Sequence, residues 1–292
     1  MIVTVTVNPM IEQFHEVPGF AAGETHRPES AASVVASGKP LNVARALRDL
    51  GEEVVAVVAT GGSTGQEILE RLEAEHLESR HVRLSQESRR GFTVFGGGRT
   101  STVYGPAPAI SDAEADAIVA LVKSLLPARF LVVGGSTSRT DLYPRLCGLD
   151  AQVVLDSHGH ALLDSLAGGG VHLAKPNLKE CRFTLGTEDV EHAVQDLVGR
   201  GAQEAVVTDE GGAAAFSMGG RQVMALPPAV DVVHTVGCGD ALCAGLLHMH
   251  ERPMDEAVAF AMACGAHAAS RPEVARLDKA ACIELAGRVE LS

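Results

Sequence analysis

Tryptophan is absent, tyrosine occurs twice, and aromatic residues make up 3% of the 292 residues. Such scarcity leaves no series of rings on which the bases of a single-stranded nucleic acid would stack. Basic residues are also in deficit: 24 Lys and Arg against 37 Asp and Glu give a formal net charge of −13. That is the wrong sign for sequence-independent binding to a phosphate backbone. Cys147, Cys181, Cys238, Cys243, Cys264 and Cys282 show no Cys-x-x-Cys spacing, so neither a zinc ribbon nor a disulfide framework is expected. Long apolar runs are lacking too. The stretch from Ala257 to Ala269 is Ala-rich, contains His267 and is shorter than the roughly 20 residues of a membrane span. The segment Met1-Ile-Val-Thr-Val-Thr-Val-Asn8-Pro9 has neither the basic stretch nor the long apolar core of a signal peptide. These deficits point to a cytoplasmic protein that binds neither nucleic acid nor membrane.

What is present is an ordinary globular composition, 46% hydrophobic with 31 glycines, enough for a large buried core. Val3, Val5 and Val7 alternate with Thr4 and Thr6 and predict an opening strand. Apolar positions 43, 44, 46, 47 and 50 then follow helical spacing up to Gly51, and residues 54–59 form a short β-branched run. The alternation continues with helices at 63–75, 112–126, 141–149, 161–166, 177–184 and 190–200 and strands at 130–133, 153–155, 171–174 and 205–208. It predicts an α/β fold with a mostly parallel central sheet between two helical layers. Two regions break the rhythm, near 12–37 and 91–104; in the second, Phe92–Phe95 and Thr100–Val103 flank Gly96-Gly-Gly98 as a hairpin would. They are expected to form a small β-sheet lid on a single domain spanning 1–292, whose exposed edges invite a homodimer through the lid.

Three segments run into helices, two of them through glycine turns. In Thr235-Val-Gly237-Cys238-Gly239-Asp240 the glycines allow close backbone approach and the helix start attracts an anion. Asp240 in the first turn suits a base that takes a proton from a hydroxyl, or else it caps the helix. Lys175-Pro-Asn177-Leu-Lys-Glu180 falls at a strand end, where Glu180 is placed to hold a water of Mg²⁺; Asn177 and Glu180 also fit a capping box. In Gly38-Lys39-Pro40-Leu-Asn42, Lys39 and Asn42 are suited to an anionic or polyhydroxylated substrate, although Gly38 and Pro40 are accounted for by the turn alone. The pairs His158-Gly-His160 and His248-Met-His250 fit neither one helix face nor a zinc-helix spacing. Cys238, at a helix start, is a candidate for a lowered thiol pKa.

With Val7-Asn-Pro9, Gly23-Glu-Thr-His-Arg27, Ser37–Arg45, Lys175–Glu180 and Thr235–Asp240 in that order, the chain resembles the PfkB branch of the ribokinase-like carbohydrate kinases. Tyr104-Gly-Pro106 inclines the likeness toward 1-phosphofructokinases and tagatose-6-phosphate kinases. The resemblance implies a three-layer αβα domain that uses ATP and Mg²⁺ to phosphorylate a sugar or sugar phosphate. It implies Asp240 as base, with Gly237, Cys238 and Gly239 supplying amides. Glu12, Arg27, Gly38, Lys39, Asn42 and Arg90, or Arg89 in its place, would meet the sugar or its phosphate. Lys175, Asn177, Thr208, Gly211, Gly212 and Gly265 would meet the nucleotide, with Asn177 and Glu180 at the metal.

Several positions depart from the family pattern on the sugar side: Glu12 where Asp is usual, Ser37-Gly-Lys-Pro40, Gly135-Ser-Thr-Ser-Arg139, and Phe92 where a polar residue is common. Asp209-Glu210 adds negative charge to the nucleotide loop. Two rival readings follow from these departures: a kinase for an unphosphorylated sugar or nucleoside, and a nonenzymatic nucleotide- or sugar-binding protein on a degenerate kinase scaffold.

Overall fold

The computed structural model describes residues 1–97 and 99–292. The opening strand β1 (Ile2–Thr6) lies inside a ten-stranded sheet because both of its faces are apolar or small. Ile2 joins one core cluster, while Val3 and Val5 join the other. β1 pairs in parallel with β4 (Val54–Thr60) on one side and β8 (Phe130–Gly134) on the other. Beyond β4 lies β5 (Ser79–Arg83); beyond β8 lie β9 (Val153–Asp156), β10 (Val171–Ala174) and β11 (Glu204–Thr208), all parallel. Every residue of β4 is buried, as a strand covered on both faces requires.

Helices α1 (Lys39–Asp49), α8 (Cys238–His248) and α9 (Met254–Ala269) press Leu41, Leu47, Leu246 and Phe260 onto one face. On the other face, α3 (Asp112–Ser124), α4 (Leu142–Cys147), α5 (Gly159–Gly168) and α7 (Val190–Gly199) supply Ile118, Leu146, Leu162 and Leu197. The three-layer αβα architecture expected from the alternating pattern is therefore present, and each expected strand and helix forms within a few residues of its reading. The same layers include α2 (Gly62–Ala74), α6 (Leu178–Leu185) and α10 (Lys279–Ala286).

The sheet extends beyond the expected parallel strands through β12 (Ala214–Met218), β13 (Arg221–Leu226) and β14 (Glu290–Leu291), which pair antiparallel. Gly219 and Gly220, both at positive φ, form the two-residue turn between β12 and β13 and are the signal that would have located this hairpin. β5 escapes sequence detection because it is an exposed edge reading Ser-Arg-His-Val-Arg, with no apolar face.

A separate sheet runs in the order β3 (Ser33–Ser37), β2 (Met10–Glu16), β6 (Arg89–Gly96), β7 (Arg99–Tyr104). The hairpin is β6–β7, and β2 pairs in parallel with β6. Of the expected turn Gly96-Gly-Gly98, Gly98 lies outside the described residues. Phe14 and Phe95 from this sheet pack on Val274 and Ala275, fastening it beside the turn that precedes α8. Because β1 lies between β4 and β8, the chain leaves β1 toward one sheet edge and later returns to the other. That reversal opens a crevice at the carboxyl ends of the strands.

Beneath the crevice, Arg45 of α1 is 1% exposed. Its guanidinium donates to Glu75, to the Ala36 carbonyl and, at 3.1 Å, to Asn42 Oδ1. Removing a single partner of a buried charge costs more than removing the charge itself. Glu75→Ala should therefore lower unfolding stability by about 2 kcal/mol, whereas Arg45→Met should lose less; urea unfolding of the two variants checks the order.

Candidate active site

A cleft of about 1160 Å³ lies where the strands end and the smaller sheet overhangs. Its walls are Thr6, Gly134, Asp156, Lys175 and Thr208 from the carboxyl side of the large sheet. Met10, Glu12, Arg89 and Tyr104 face them from the small one, and Thr235–Asp240 closes one end.

α8 is preceded by Gly237 at its N-cap, whose φ of 81° is left-handed; a Cβ there would also stand 3.0 Å from Val274. At Gly239 a Cβ would stand 3.4 Å from Lys175 Nζ. Gly237 thus permits the tight left-handed entry into the helix, where Cys238 N–H donates to the Thr235 carbonyl and the N–H groups of Gly239 and Asp240, without an intrahelical acceptor, lie at the cleft. Asp240, third in α8, does not cap its own helix. It accepts a hydrogen bond from Asn42 Nδ2 at 2.8 Å and is 6% exposed. Burial pushes its carboxyl up to about 6, and the charge of Asp156 adds to that push, against the pull of Lys175. The result is a carboxylate held near the pKa at which it both takes and returns protons. Asn42 is itself fixed through Arg45, a residue without a motif of its own.

Cys238 does not behave as its helix position predicts. Burial, followed by the negative charge of Asp240, pushes its thiol up to about 12, so the sulfur stays protonated and its place in the turn is that of a small side chain.

Lys39 Nζ lies 2.6 Å from Asp156 Oδ1 and 2.6 Å from Glu180 Oε1. Lys175 Nζ lies 2.9 Å from Asp156 Oδ2. Burial acts to discharge both lysines, but Asp156, together with Glu180 at Lys39, outweighs it and raises both pKa values. For Glu180, burial is overcome by His158 and Lys39, which hold the carboxyl well below its usual range. The capping box is fully formed: Glu180 N–H donates to Asn177 Oδ1 at 2.8 Å, and Asn177 N–H donates to Glu180 Oε2 at 3.0 Å. Capping and cleft duties coexist because Glu180 uses one oxygen for each. Asp156, which joins the two lysines, was not anticipated; its signal is its position as the last residue of a buried strand.

On the overhanging sheet Glu12 is completely buried. Its Oε1 accepts from Thr93 Oγ1 at 2.6 Å and from the Tyr104 hydroxyl at 3.2 Å, and Oε2 has no hydrogen-bond partner among the described residues. Of the two adjacent arginines, period-two alternation along β6 turns Arg89 into the cleft. Arg90 goes to the outer face, where it pairs with Glu67 at 2.7 Å. Of the two arginines expected as alternatives, Arg89 therefore lines the cleft and Arg90 does not. Phe92 likewise stands on the outer face, beside a pocket of about 350 Å³. Arg27 is exposed and outside the cleft walls, because residues 17–32 form no strand that would carry it inward. Gly38, Lys39, Asn42, Asn177, Thr208, Gly211, Gly212 and Gly265 all line the cleft, as do Asp209, Glu210, Asn8 and Ser136.

A family described as pfkB family carbohydrate kinase matches residues 5–280. A 1-phosphofructokinase of Bacillus subtilis is 30% identical over 94% of this chain and 94% of its own length. A tagatose-6-phosphate kinase of Staphylococcus epidermidis is 27% identical over 91% of each. Among solved structures, the tetrameric inhibited form of phosphofructokinase-2 from Escherichia coli superposes with a TM-score of 0.85 at 24% identity, covering 98% of each chain.

The raised pKa of Asp240 has a consequence for stability. A carboxyl whose pKa rises from 3.8 when unfolded to about 6 when folded is destabilising once ionised. Its cost grows from about pH 4 to about pH 6 and is constant above. Asp240→Asn removes that cost and should be more stable than the parent by about 2 to 3 kcal/mol near pH 8. The gap should close toward pH 4, as read from urea midpoints across the range.

Proposed function

The chain belongs to the pfkB family of carbohydrate kinases, and from that premise we propose that it transfers the γ-phosphoryl group of ATP to a hydroxyl of a hexose phosphate, with fructose 1-phosphate and tagatose 6-phosphate as the first acceptors to test. The observation that carries this reading is the buried Asp240, oriented by Asn42 and set in the first turn of α8. In the proposed reaction its carboxylate takes the proton of the acceptor hydroxyl as the oxygen attacks phosphorus. The open N–H groups at the start of α8 hold the oxygens of the migrating group. Lys175 and Lys39 offset the charge that collects there.

The nucleotide is assigned to the end of the cleft formed by Thr208, Gly211, Gly212 and Gly265. The oxygens of Asp156, Glu180 and Asn177 are hard donors of the kind Mg²⁺ accepts, and two lysines already occupy the carboxylates. Such donors would suit Mg²⁺ held largely through its own water molecules. When bound, Mg²⁺ supplies neutralisation of the phosphate charge. Asn177 and Glu180 are the residues assigned to hold it.

At the acceptor end, Glu12 Oε2 is available to a sugar hydroxyl, and Arg89 supports the phosphorylated substrate. The Arg89 guanidinium is half-buried, its pKa lowered chiefly by that burial, and its Nε has no hydrogen-bond partner among the described residues. The small sheet acts as a lid that excludes water during transfer, and the chain forms one catalytic unit because the cleft draws on both sheets. The lid also suits a homodimer. Its β7 edge is exposed throughout, and Phe92 and Val103 stand 44% and 54% exposed. Sedimentation at micromolar concentration should give a dimer; a monomer excludes that assembly.

ADP release with Mg-ATP is to be measured against fructose 1-phosphate, fructose 6-phosphate, tagatose 6-phosphate, neutral hexoses, ribose and nucleosides. Turnover is expected on a hexose phosphate. Asp240→Asn should lower kcat by about a thousandfold or more while ATP binding persists. Arg89→Met should raise KM for the phosphosugar by roughly tenfold or more, with little effect on a neutral sugar. Turnover confined to neutral sugars or nucleosides would replace the hexose-phosphate assignment, and ATP binding without turnover on any acceptor would favour a binding protein.

A further inference from the structure

At the opposite end of the strands from the cleft, three side chains from separate elements converge. His172 belongs to β10, Glu204 opens β11, and His250 follows α8 by two residues. His172 Nε2 and His250 Nε2 are 3.2 Å apart; His250 Nε2 is 3.2 Å from Glu204 Oε2, and His172 Nε2 is 3.7 Å from that same oxygen. Ligand atoms about 2.0 to 2.1 Å from a tetrahedral ion are separated from one another by about 3.3 Å. The triangle is therefore the size of one face of such a coordination shell.

Proton accounting favours the same reading. The Nδ1 of His172 lies 3.0 Å from Gln203 Oε1; donating to that acceptor, a neutral His172 ring presents a bare lone pair at Nε2. Nε2 of His250 then faces both that lone pair and the Glu204 oxygen, and carries at most one proton for two acceptors. A cation in the triangle satisfies all three groups at once. Gln203 supplies the outer hydrogen bond that ordinarily fixes a ligating imidazole. The Phe130 ring, 5.1 Å from His250 and 6.2 Å from His172 between centroids, forms an apolar flank. All three side chains retain some exposure, at 13%, 13% and 19%, so water can reach a fourth coordination position.

We propose that His172, Glu204 and His250 form a binding site for a borderline divalent transition metal, with zinc first among candidates, separate from the cleft. Two imidazoles and one carboxylate suit zinc, cobalt or nickel better than magnesium or calcium. The ion would tie the segment after α8 to β10 and β11. α8 is 11 residues long, so its far end, which carries Asp240, is about 15 Å away. The site acts as a structural clamp, not as part of the reaction.

The test is titration of the chelator-stripped full-length protein with Co²⁺ and Zn²⁺, followed by absorption spectroscopy, calorimetry and thermal unfolding. Saturating Mg-ATP is included to occupy the cleft. One equivalent per chain should bind, the Co²⁺ complex should show the visible bands of a four- or five-coordinate centre, and Zn²⁺ at a hundredfold excess over Kd should raise Tm by roughly 5 °C. His250→Ala and the isosteric Glu204→Gln should lose the bands and the Tm rise, and Gln203→Leu should weaken binding about tenfold or more. Unstripped Tm values close to the parent's would show that the variants remain folded. Undiminished binding in both ligand variants would place the metal elsewhere and overturn the proposal. So would failure of the parent to bind at tens of micromolar, which would leave the three side chains as a hydrogen-bonded group only.

Discussion

The cleft is organised around a neutralisation problem. Asp156, Glu180 and Asp240 stand on separate elements at the carboxyl ends of the sheet, and all three are largely withdrawn from water. Ionised carboxylates in such a setting are tolerated only if cations are buried with them. Lys39 and Lys175 provide these, with Asp156 bound to both. Two cations then face three acids, and the deficit falls on Asp240, which has a neutral amide as its hydrogen-bond partner and whose carboxyl is pushed up to about 6. A base tuned in this way is a property of the whole cluster. The glycines at 38 and 237 are fixed by crowding around the cluster, since side chains there would meet Thr6 and Val274.

Much of the fold could be read from the chain because parallel strands buried on both faces leave short β-branched runs, and the intervening helices leave apolar stripes. Both signals are local. Strand β5 is an exposed edge and β14 pairs with residues distant in sequence, so both had weaker signatures, while the β12–β13 hairpin is marked only by Gly219-Gly220. The Lys175–Glu180 motif reached the cleft for a related reason, since it couples the end of β10 to the start of α6 and in an open α/β sheet such junctions open on one side. The Gly38 and Thr235–Asp240 segments instead enter their helices from the small sheet and from the stretch after β13.

What the sequence could not supply were contacts made across elements. Asp156 carries no motif, and its importance depends on two lysines at positions 39 and 175. The choice between Arg89 and Arg90 turns on the registry of a strand, and a shift of one residue exchanges the two faces. The His172, Glu204 and His250 cluster brings together residues that sequence inspection had either passed over or paired with different partners. In each case the missing information was spatial proximity.

Under the proposed function, Glu12 bears on which molecules the cleft refuses. A completely buried carboxyl with one oxygen already engaged by Thr93 and Tyr104, and the other without a partner among the described residues, favours a ligand that brings a correctly placed donor. A ligand of the same shape lacking that donor would seal the oxygen away from water without compensation. Discrimination on such a basis is far steeper than an apolar pocket attains through fit alone. On that reading the extra methylene of glutamate relative to aspartate would work as a ruler, setting how far from the strand the donor of an accepted ligand stands.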